Sequence, residues 1–311
     1  YVDGELNSGD IDFDPTATWD WRTILVGGLG SGGKGLFALD VTYDSLTTLN
    51  ASSGSSKKVL WEKTGDAYGY IHGKAQIALL NDDKWYVIQG NGYGSVDDVA
   101  KLLLIESDGT TTEIATDATI TGNGLSSPAL VDSNNDGKPD YAYAGDLKGN
   151  LWKFNLTTKT AALKLFVTGV NQPITTTPDI ARHPVGGIII YFGTGSLLSG
   201  PNTPSDDTSN TDAQAFYGIW DNNAVALVNN DGSILNQPLT EIEYTAGTIV
   251  RYSTNNTAIN WSTNTGWKVP FPTSGERLLG DPQLRAGRLQ FITTSFGANN
   301  APVAWLMEIN Y

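Results

Sequence analysis

The feature that most constrains the fold is a recurring unit of short strands. Each unit has a small or proline-bearing strand, a turn, a strand that ends in glycine and a polar residue, and then a further amphipathic strand. Three or four strands in a unit, at a period of about 40 to 50 residues, are typical of propeller blades that bury their faces against one another. Helical periodicity is scarce. The sequence therefore predicts an all-β fold, a β-propeller with irregular blades. The middle strands of the five clearest units are 21–28, 85–91, 141–146, 187–194 and 289–294.

The chain has 311 residues, of which 40% are hydrophobic, so it can bury a large core. We predict one domain over 1–311. Three segments break the repeat and are predicted as loop and hairpin insertions, at about 44–58, 199–214 and 236–275, the last with a hairpin of its own. Because the chain starts at Tyr1 without a methionine and stops after a strand-like run, we expect it to be part of a longer polypeptide.

The charge balance limits the partners. The formal net charge is −14, from 33 acidic and 19 basic residues, and such a surface repels nucleic acid and anionic membranes. The absence of cysteine excludes disulfides, thiolate metal sites and cysteine nucleophiles. No apolar run approaches the length of about 20 residues that a membrane span needs. We therefore predict neither a nucleic-acid partner nor a membrane span in this chain.

The segment 132–140 has the pattern of a calcium-binding loop. Oxygen-bearing side chains recur at every second position, Asp132, Asn134 and Asp136, until Gly137 allows the chain to turn. Ca²⁺ takes about 6 to 8 oxygen ligands, so a short peptide must curl and direct alternate residues inward.

Two further ligands complete the predicted set. The backbone carbonyl of Lys138 is predicted to point at the ion while its ammonium stays in water, and Asp140 closes the shell with its carboxylate. The closing carboxylate comes at the ninth position and not at the twelfth, as in an EF-hand, and the flanking segments have strand character. The loop is thus predicted to join two antiparallel strands. The ion would act either as a staple for this hairpin or as a switch, and the alternative is an Asx-rich surface turn that binds nothing.

Other motifs carry less weight. The glycine-rich segment 28–34 has the spacing of a phosphate-binding loop, but a strand follows it where a nucleotide site needs a helix, so we predict a turn. His72 and His183 are predicted to be structural. Acidic pairs such as Asp82-Asp83 are predicted to be solvated turns without partners.

Two long runs resemble a known family. The first is 21–42, which begins with Trp-Arg-Thr-Ile-Leu-Val-Gly-Gly-Leu-Gly. The second is 132–156, in which the acidic loop passes into Tyr-Ala-Gly-Asp-Leu-Lys-Gly-Asn-Leu-Trp. With Gly193-Thr194-Gly195 and Trp305 to Ile309, they are similar to the C-terminal propeller of the PilC/PilY proteins of bacterial type IV pili. The family's ligands correspond here to Asp132, Asn134, Asp136, the carbonyl of Lys138, and Asp140.

The resemblance implies a function outside the cell. It implies an adhesin and biogenesis factor at the pilus tip or the outer-membrane surface of a bacterium, in which Ca²⁺ occupancy regulates pilus extension, retraction and surface attachment. The implied partners are minor pilins of the tip complex and a host-cell or abiotic surface, and no enzyme activity is implied. Two alternatives are a quinoprotein dehydrogenase of the pyrroloquinoline quinone type and an extracellular integrin-α-like propeller in which Ca²⁺ is purely structural.

Overall fold

The computed structural model describes residues 2–13, 20–42, 59–169, 171–197, 211–223, 232–245, 248–253, 257–296 and 301–310. In these residues the chain is built from strands, and the helical segment among them is a single 3₁₀ turn, Gly30–Gly32. The all-β prediction is confirmed. No helix in the described ranges is long or apolar enough to cross a membrane.

The strands follow one another at short intervals. In chain order they are β1 Leu6–Asp12, β2 Trp21–Gly28, β3 Gly35–Asp40, β4 Val59–Thr64, β5 Gln76–Leu79, β6 Trp85–Gly90, β7 Gly92–Tyr93, β8 Lys101–Glu106, β9 Thr111–Ala115, β10 Gly124–Leu125, β11 Ala129–Val131, β12 Tyr141–Gly145, β13 Asn150–Asn155, β14 Leu163–Val167, β15 Asp179–Arg182, β16 Ile188–Gly193, β17 Ala215–Asp221, β18 Ile234–Asn236, β19 Leu239–Thr245, β20 Thr248–Ser253, β21 Gly266–Pro270, β22 Arg277–Leu278, β23 Gln283–Arg285, β24 Arg288–Phe296 and β25 Pro302–Asn310.

The strands form five sheets of four or five strands, in agreement with the five predicted units. Their orders are β1-β2-β3-β4, β5-β6-β8-β9, β11-β12-β13-β14, β15-β16-β17-β21-β18 and β22-β24-β23 with β25 on the other side of β24. Most neighbours are consecutive in the chain and antiparallel, because short turns connect them. Two further sheets have two strands each, β7 with β10 and β19 with β20.

The Gly-polar ending of the middle strands has a physical explanation. Asn91, Asp146 and Thr194 follow the last glycine of β6, β12 and β16, and each is 0% exposed. Each donates its backbone N–H to the carbonyl at the start of the next long strand and accepts that residue's N–H with its side chain. The pairs are Asn91 with Lys101, Asp146 with Asn150, and Thr194 with Ala215. The polar residue therefore satisfies buried backbone groups where the ladder ends.

The glycine before the polar residue allows close packing. A Cβ on Gly145 would lie 2.2 Å from the Cβ of Ile174, which is itself fully buried. Any side chain at this position would displace the strand or its neighbour. In the repeated dipeptide, the glycine thus allows a neighbouring segment to pack closely, and the polar residue caps backbone groups at the end of the strand.

The chain divides into two compact units. Unit 1 comprises 1–144 and 153–163, and unit 2 comprises 145–152 and 164–311. The core of unit 1 includes Ile24, Val26 and Leu103, and that of unit 2 includes Phe216 and Phe291, whose rings stack with centroids 4.0 Å apart. The prediction of a single domain over 1–311 stays a prediction.

The predicted insertions have different outcomes. The segment at about 44–58 lies outside the described residues, as do residues 199–210 of the second segment. In the third, 236–275, β19 and β20 form the predicted antiparallel hairpin. The same segment also holds β21, which pairs with β17 and belongs to the main sheet, so the predicted insertion was too long.

A buried ion pair anchors the hairpin within unit 2. Arg251 of β20 reaches Glu276 at 2.5 Å, and both side chains are almost inaccessible to solvent. The guanidinium also lies 3.7 Å from the ring centroid of Trp305. The hairpin lines an apolar cavity of about 540 Å³ together with β25.

Candidate metal centre

The predicted calcium loop lies between β11 and β12, in unit 1. Val131 pairs with Tyr141 in antiparallel register, and the amide of Asp140 donates to the carbonyl of Val131 over 2.8 Å. The hairpin around the loop is therefore confirmed. Residues 133–137 are exposed, so an ion from solution has access to this segment.

The first half of the loop wraps around the carboxylate of Asp132. Its Oδ1 accepts the N–H of Asn135 at 2.6 Å and of Asp136 at 3.3 Å, and its Oδ2 accepts the N–H of Gly137 at 2.8 Å. This wrapping requires left-handed backbone at Asn135, with φ +65°, and at Gly137, with φ +88°. Asparagine and glycine are the residues that adopt this conformation at least cost.

The alternate side chains form a second set of contacts. Asn134 Oδ1 accepts the N–H of Asp136 at 2.9 Å, and Asp136 Oδ1 accepts the N–H of Lys138 at 2.8 Å. Asn134 Nδ2 also donates to Asp136 Oδ2 at 3.1 Å. The structure thus brings Asp132, Asn134, Asp136 and the amide of Lys138 into one network, at the spacing that the sequence predicts.

Asp140 closes the loop through Ser133. Its Oδ2 accepts the N–H of Ser133 at 2.9 Å and the hydroxyl at 2.5 Å, while its Oδ1 accepts Nδ2 of Asn81 at 3.3 Å. Partial burial raises the pKa of Asp140, but the hydrogen bonds from Ser133, Asn81 and the Asn134 backbone outweigh it, so that the pKa lies below its usual value. The side chain is ionised at neutral pH and can bind a cation.

Lys138 differs from the prediction. Its ammonium, predicted to stay in water, donates to Asp83 Oδ1 at 2.5 Å. This hydrogen bond raises the pKa of Lys138. Because the ammonium is held by a carboxylate outside the loop, the loop keeps its negative charge available for a cation.

The donor chemistry suits a hard cation. The five predicted ligands offer only oxygen, and each of the six carboxylate oxygens of Asp132, Asp136 and Asp140 accepts at least one hydrogen bond. An ionised carboxylate has about four acceptor sites, so lone pairs remain for a metal. Within the described ranges, no group of three or more His, Cys, Asp or Glu side chains is close enough to hold a metal ion. The calcium site therefore stays a prediction.

The sequence missed the second layer of contacts around the loop. Asp82 and Asp83 are exposed residues of a turn, as predicted, but the expectation that they lack partners is wrong. Asp82 accepts from Lys159 at 2.5 Å and from Tyr86 at 2.8 Å, and Asp83 binds Lys138. Asn81 and Asp140 are 59 positions apart in the chain. No local pattern signals contacts of this range.

The glycine-rich turn and His183 make contacts within the protein. The turn after Gly28 leads into strand β3, and the amide of Ser31 donates to the carboxylate of Asp3 at 2.6 Å, where a phosphate loop would present it to a ligand. His183 is buried and stacks on Trp220, with ring centroids 4.4 Å apart.

Comparison with known proteins places the chain in a family. A family model described as the PilY1 beta-propeller domain matches residues 1–165 and 161–247. The type IV pilus biogenesis factor PilY1 of Pseudomonas aeruginosa (strain PAO1) is 35% identical, over 88% of this chain and 26% of that protein. The chain belongs to the PilY1 β-propeller family. The PilY1 homolog of Xylella fastidiosa (strain Temecula1) is 32% identical, over 94% of this chain and 21% of that protein.

The fold of the PilY1 family agrees with the strands described above. The crystal structure of the Pseudomonas aeruginosa PilY1 C-terminal domain matches with a TM-score of 0.80 at 31% identity, covering 99% of this chain and 70% of that one. The predicted β-propeller and the resemblance to PilC/PilY proteins are therefore confirmed. The chain spans about a quarter of the length of the curated PilY1 relatives it matches. Those relatives are named as biogenesis factors and not as enzymes.

Proposed function

We propose that this chain is the calcium-binding propeller of a type IV pilus biogenesis factor, and that Ca²⁺ occupancy of the loop 132–140 regulates pilus extension, retraction and surface attachment. Membership of the PilY1 family supports the pilus role over the quinoprotein and integrin-α-like alternatives. The observation that carries the calcium role is the loop curled around Asp132, with oxygen donors at alternate positions.

Several residues of the loop would together bind the calcium ion. Asp132, Asn134, Asp136, the carbonyl of Lys138 and Asp140 would hold the ion, which supplies the positive charge that offsets three neighbouring carboxylates. The left-handed residues Asn135 and Gly137 keep the loop curled. Because the amide of Asp140 is hydrogen-bonded to the carbonyl of Val131 at the base of the loop, the loop is fixed to β11 and β12.

The proposed location follows from the proposed role. A biogenesis factor of pili would act outside the cell, at the pilus tip or the outer-membrane surface, with minor pilins of the tip complex as partners and a host-cell or abiotic surface as the substrate of attachment. The net charge of −14 is compatible with this setting and unfavourable for binding nucleic acid.

The test uses the parent protein in its piliated bacterium. Asp140→Asn removes one negative ligand with little change of volume, and Asp108→Asn is the matched control, since Asp108 is an exposed acid in the turn after β8 that accepts the amide of Thr110. We expect the number of surface pili and twitching motility to respond to millimolar calcium in the wild type and in Asp108→Asn, and to lose that response in Asp140→Asn. An equal calcium response in all three strains would contradict the regulatory role.

A further inference from the structure

The turn between β5 and β6 lies against the calcium loop and the turn that follows β13, all within unit 1. We call this turn, residues 80–84, the platform turn. The amide of Asp83 donates to the carbonyl of Leu80 and the amide of Leu80 to the carbonyl of Lys84, each over 3.0 Å, which closes the turn tightly. Its side chains are therefore held on a rigid support.

Asn81 of the platform turn contacts the closing ligand. Its Nδ2 donates to Asp140 Oδ1 at 3.3 Å and to Thr157 Oγ1 at 2.9 Å. Thr157 follows β13, whose next residue Leu156 donates its amide to the carbonyl of Asp140 at 2.8 Å. Asn81 therefore bridges Asp140 and the turn after β13, and it fixes the direction of the Asp140 carboxylate.

Asp83 of the same turn contacts Lys138, another predicted ligand residue of the loop. Its carboxylate accepts the ammonium of Lys138, whose backbone carbonyl is a predicted ligand. A lysine ammonium that is free to move near a divalent cation would repel it. Asp83 removes this repulsion by holding the ammonium on the side of the platform turn.

A third contact fastens the platform turn from the opposite end. Lys159 donates to Asp82 at 2.5 Å and to the hydroxyl of Tyr86 at 2.6 Å, and its ammonium lies 4.3 Å from the centroid of the Tyr86 ring. Tyr86 is buried and belongs to β6. The platform turn is thus tied both to the loop and to the inner strand of its own sheet.

We infer that the platform turn positions Asp140 and Lys138 for calcium and transmits the occupancy of the loop to the sheet β5-β6-β8-β9. Asn81 and Asp83 are positioning residues in this scheme, since each acts through a loop residue. The inference rests on the proposed calcium function and adds the route by which occupancy reaches a second sheet. Residues that orient metal ligands typically change metal affinity by about 10- to 100-fold when they are removed.

Calcium titration of the 311-residue chain by calorimetry tests the positioning role. We expect Asn81→Ala to weaken calcium binding about tenfold. Asp83→Asn is expected to weaken it about threefold, the size of an exposed ion pair. Asp108→Asn carries the same charge loss in a turn of the same sheet without contacting the loop, and its affinity should stay within about twofold of the wild type.

A double substitution separates positioning from general stability. If Asp83 acts by holding the ammonium of Lys138, Asp83→Asn should have no further effect in a Lys138→Met background, because the predicted ligand there is the backbone carbonyl and not the side chain. Transmission is measured by amide hydrogen exchange. Calcium should slow the exchange of residues 80–84 in the wild type, and Asp140→Asn should abolish that slowing.

Two outcomes would overturn the inference. Wild-type calcium affinity in both Asn81→Ala and Asp83→Asn, with exchange at 80–84 indifferent to calcium, would refute the platform role and leave the calcium loop standing. A wild-type chain that binds no calcium would refute the proposed function together with the inference.

Discussion

Gly137 shows how a single residue decides the shape of the loop. Its φ of +88° is disfavoured for any residue with a Cβ, although no heavy atom lies within 4 Å of the position that a Cβ would take. The cost of a side chain here is therefore conformational and not steric.

A matched pair of alanine substitutions measures that cost. Gly137→Ala is expected to lower the free energy of unfolding by about 1 kcal/mol, since alanine must adopt the left-handed conformation. Gly280→Ala is the control, because that glycine also has open space around it but lies outside the left-handed region. Urea denaturation of both variants gives the comparison. An equal or greater loss for Gly280→Ala would contradict the account.

His183 predicts a dependence of stability on pH. Burial lowers the pKa of His183, and its Nδ1 accepts the amide of Val185 at 3.2 Å, which only the neutral ring can do. Trp220 and Trp261 enclose the ring. Because the folded pKa lies below the unfolded value of about 6.5, this stabilisation is complete above that value and is lost as the pH falls through the folded pKa.

The measurement is the midpoint of thermal unfolding between pH 7.5 and 5.5. We expect the wild type to lose stability on acidification, and His183→Phe, which keeps an aromatic ring between the two tryptophans, to lose less. Each unit by which the folded pKa is lowered corresponds to about 1.4 kcal/mol. Parallel pH profiles for the two proteins would show that His183 does not contribute.

At the scale of elements, a buried polar residue caps the end of the middle strand in several of the repeated units. Asp146 accepts the amides of Lys148 and Asn150, the side-chain amide of Asn150, and the indole N–H of Trp152 at 2.7 Å. Removing the carboxylate would leave several of these buried donors without an acceptor.

Asp146→Ala should therefore destabilise the fold by about 3 kcal/mol. Lys148→Ala, an exposed position on the same turn, should change the free energy of unfolding by less than about 0.5 kcal/mol. Chemical denaturation followed by tryptophan fluorescence compares the two. If both variants unfolded at the wild-type denaturant concentration, the claim that the Asp146 cap stabilises the fold would be contradicted.

Most elements could be predicted because their sequence is locally consistent. β16 and, apart from Gln89, β6 are apolar runs that are buried along almost their whole length. β24 alternates buried and accessible residues. β1 and β9 were not predicted, since Leu-Asn-Ser-Gly-Asp-Ile-Asp and Thr-Thr-Glu-Ile-Ala are largely polar and become strands only by pairing with a stronger neighbour.

The site was predictable to the extent that it is contiguous. The hairpin, the left-handed turn and the alternation of oxygen donors all lie within nine residues, so the pattern alone indicates them. The contacts of Asn81 with Asp140 and of Asp83 with Lys138 join residues more than fifty positions apart. They depend on how two sheets are placed, which no local pattern specifies.

For the whole molecule, the proposed calcium function predicts a ligand-dependent stability. A ligand that binds only the folded state stabilises it by about 2.7 kcal/mol at 100 times its dissociation constant. We expect the wild-type chain to melt at a higher temperature in calcium than in chelator, and Asp132→Ala to melt at the same temperature in both. A calcium-induced shift that persists in Asp132→Ala would place the ion elsewhere.

The central claim is that one calcium ion binds within the loop 132–140, and anomalous diffraction from crystals grown in millimolar CaCl₂ tests it most directly. The account predicts an anomalous difference peak at about 2.3 to 2.6 Å from oxygens of Asp132, Asn134, Asp136, Lys138 and Asp140. A well-ordered loop with only water between its carboxylates, under the same conditions, would contradict it.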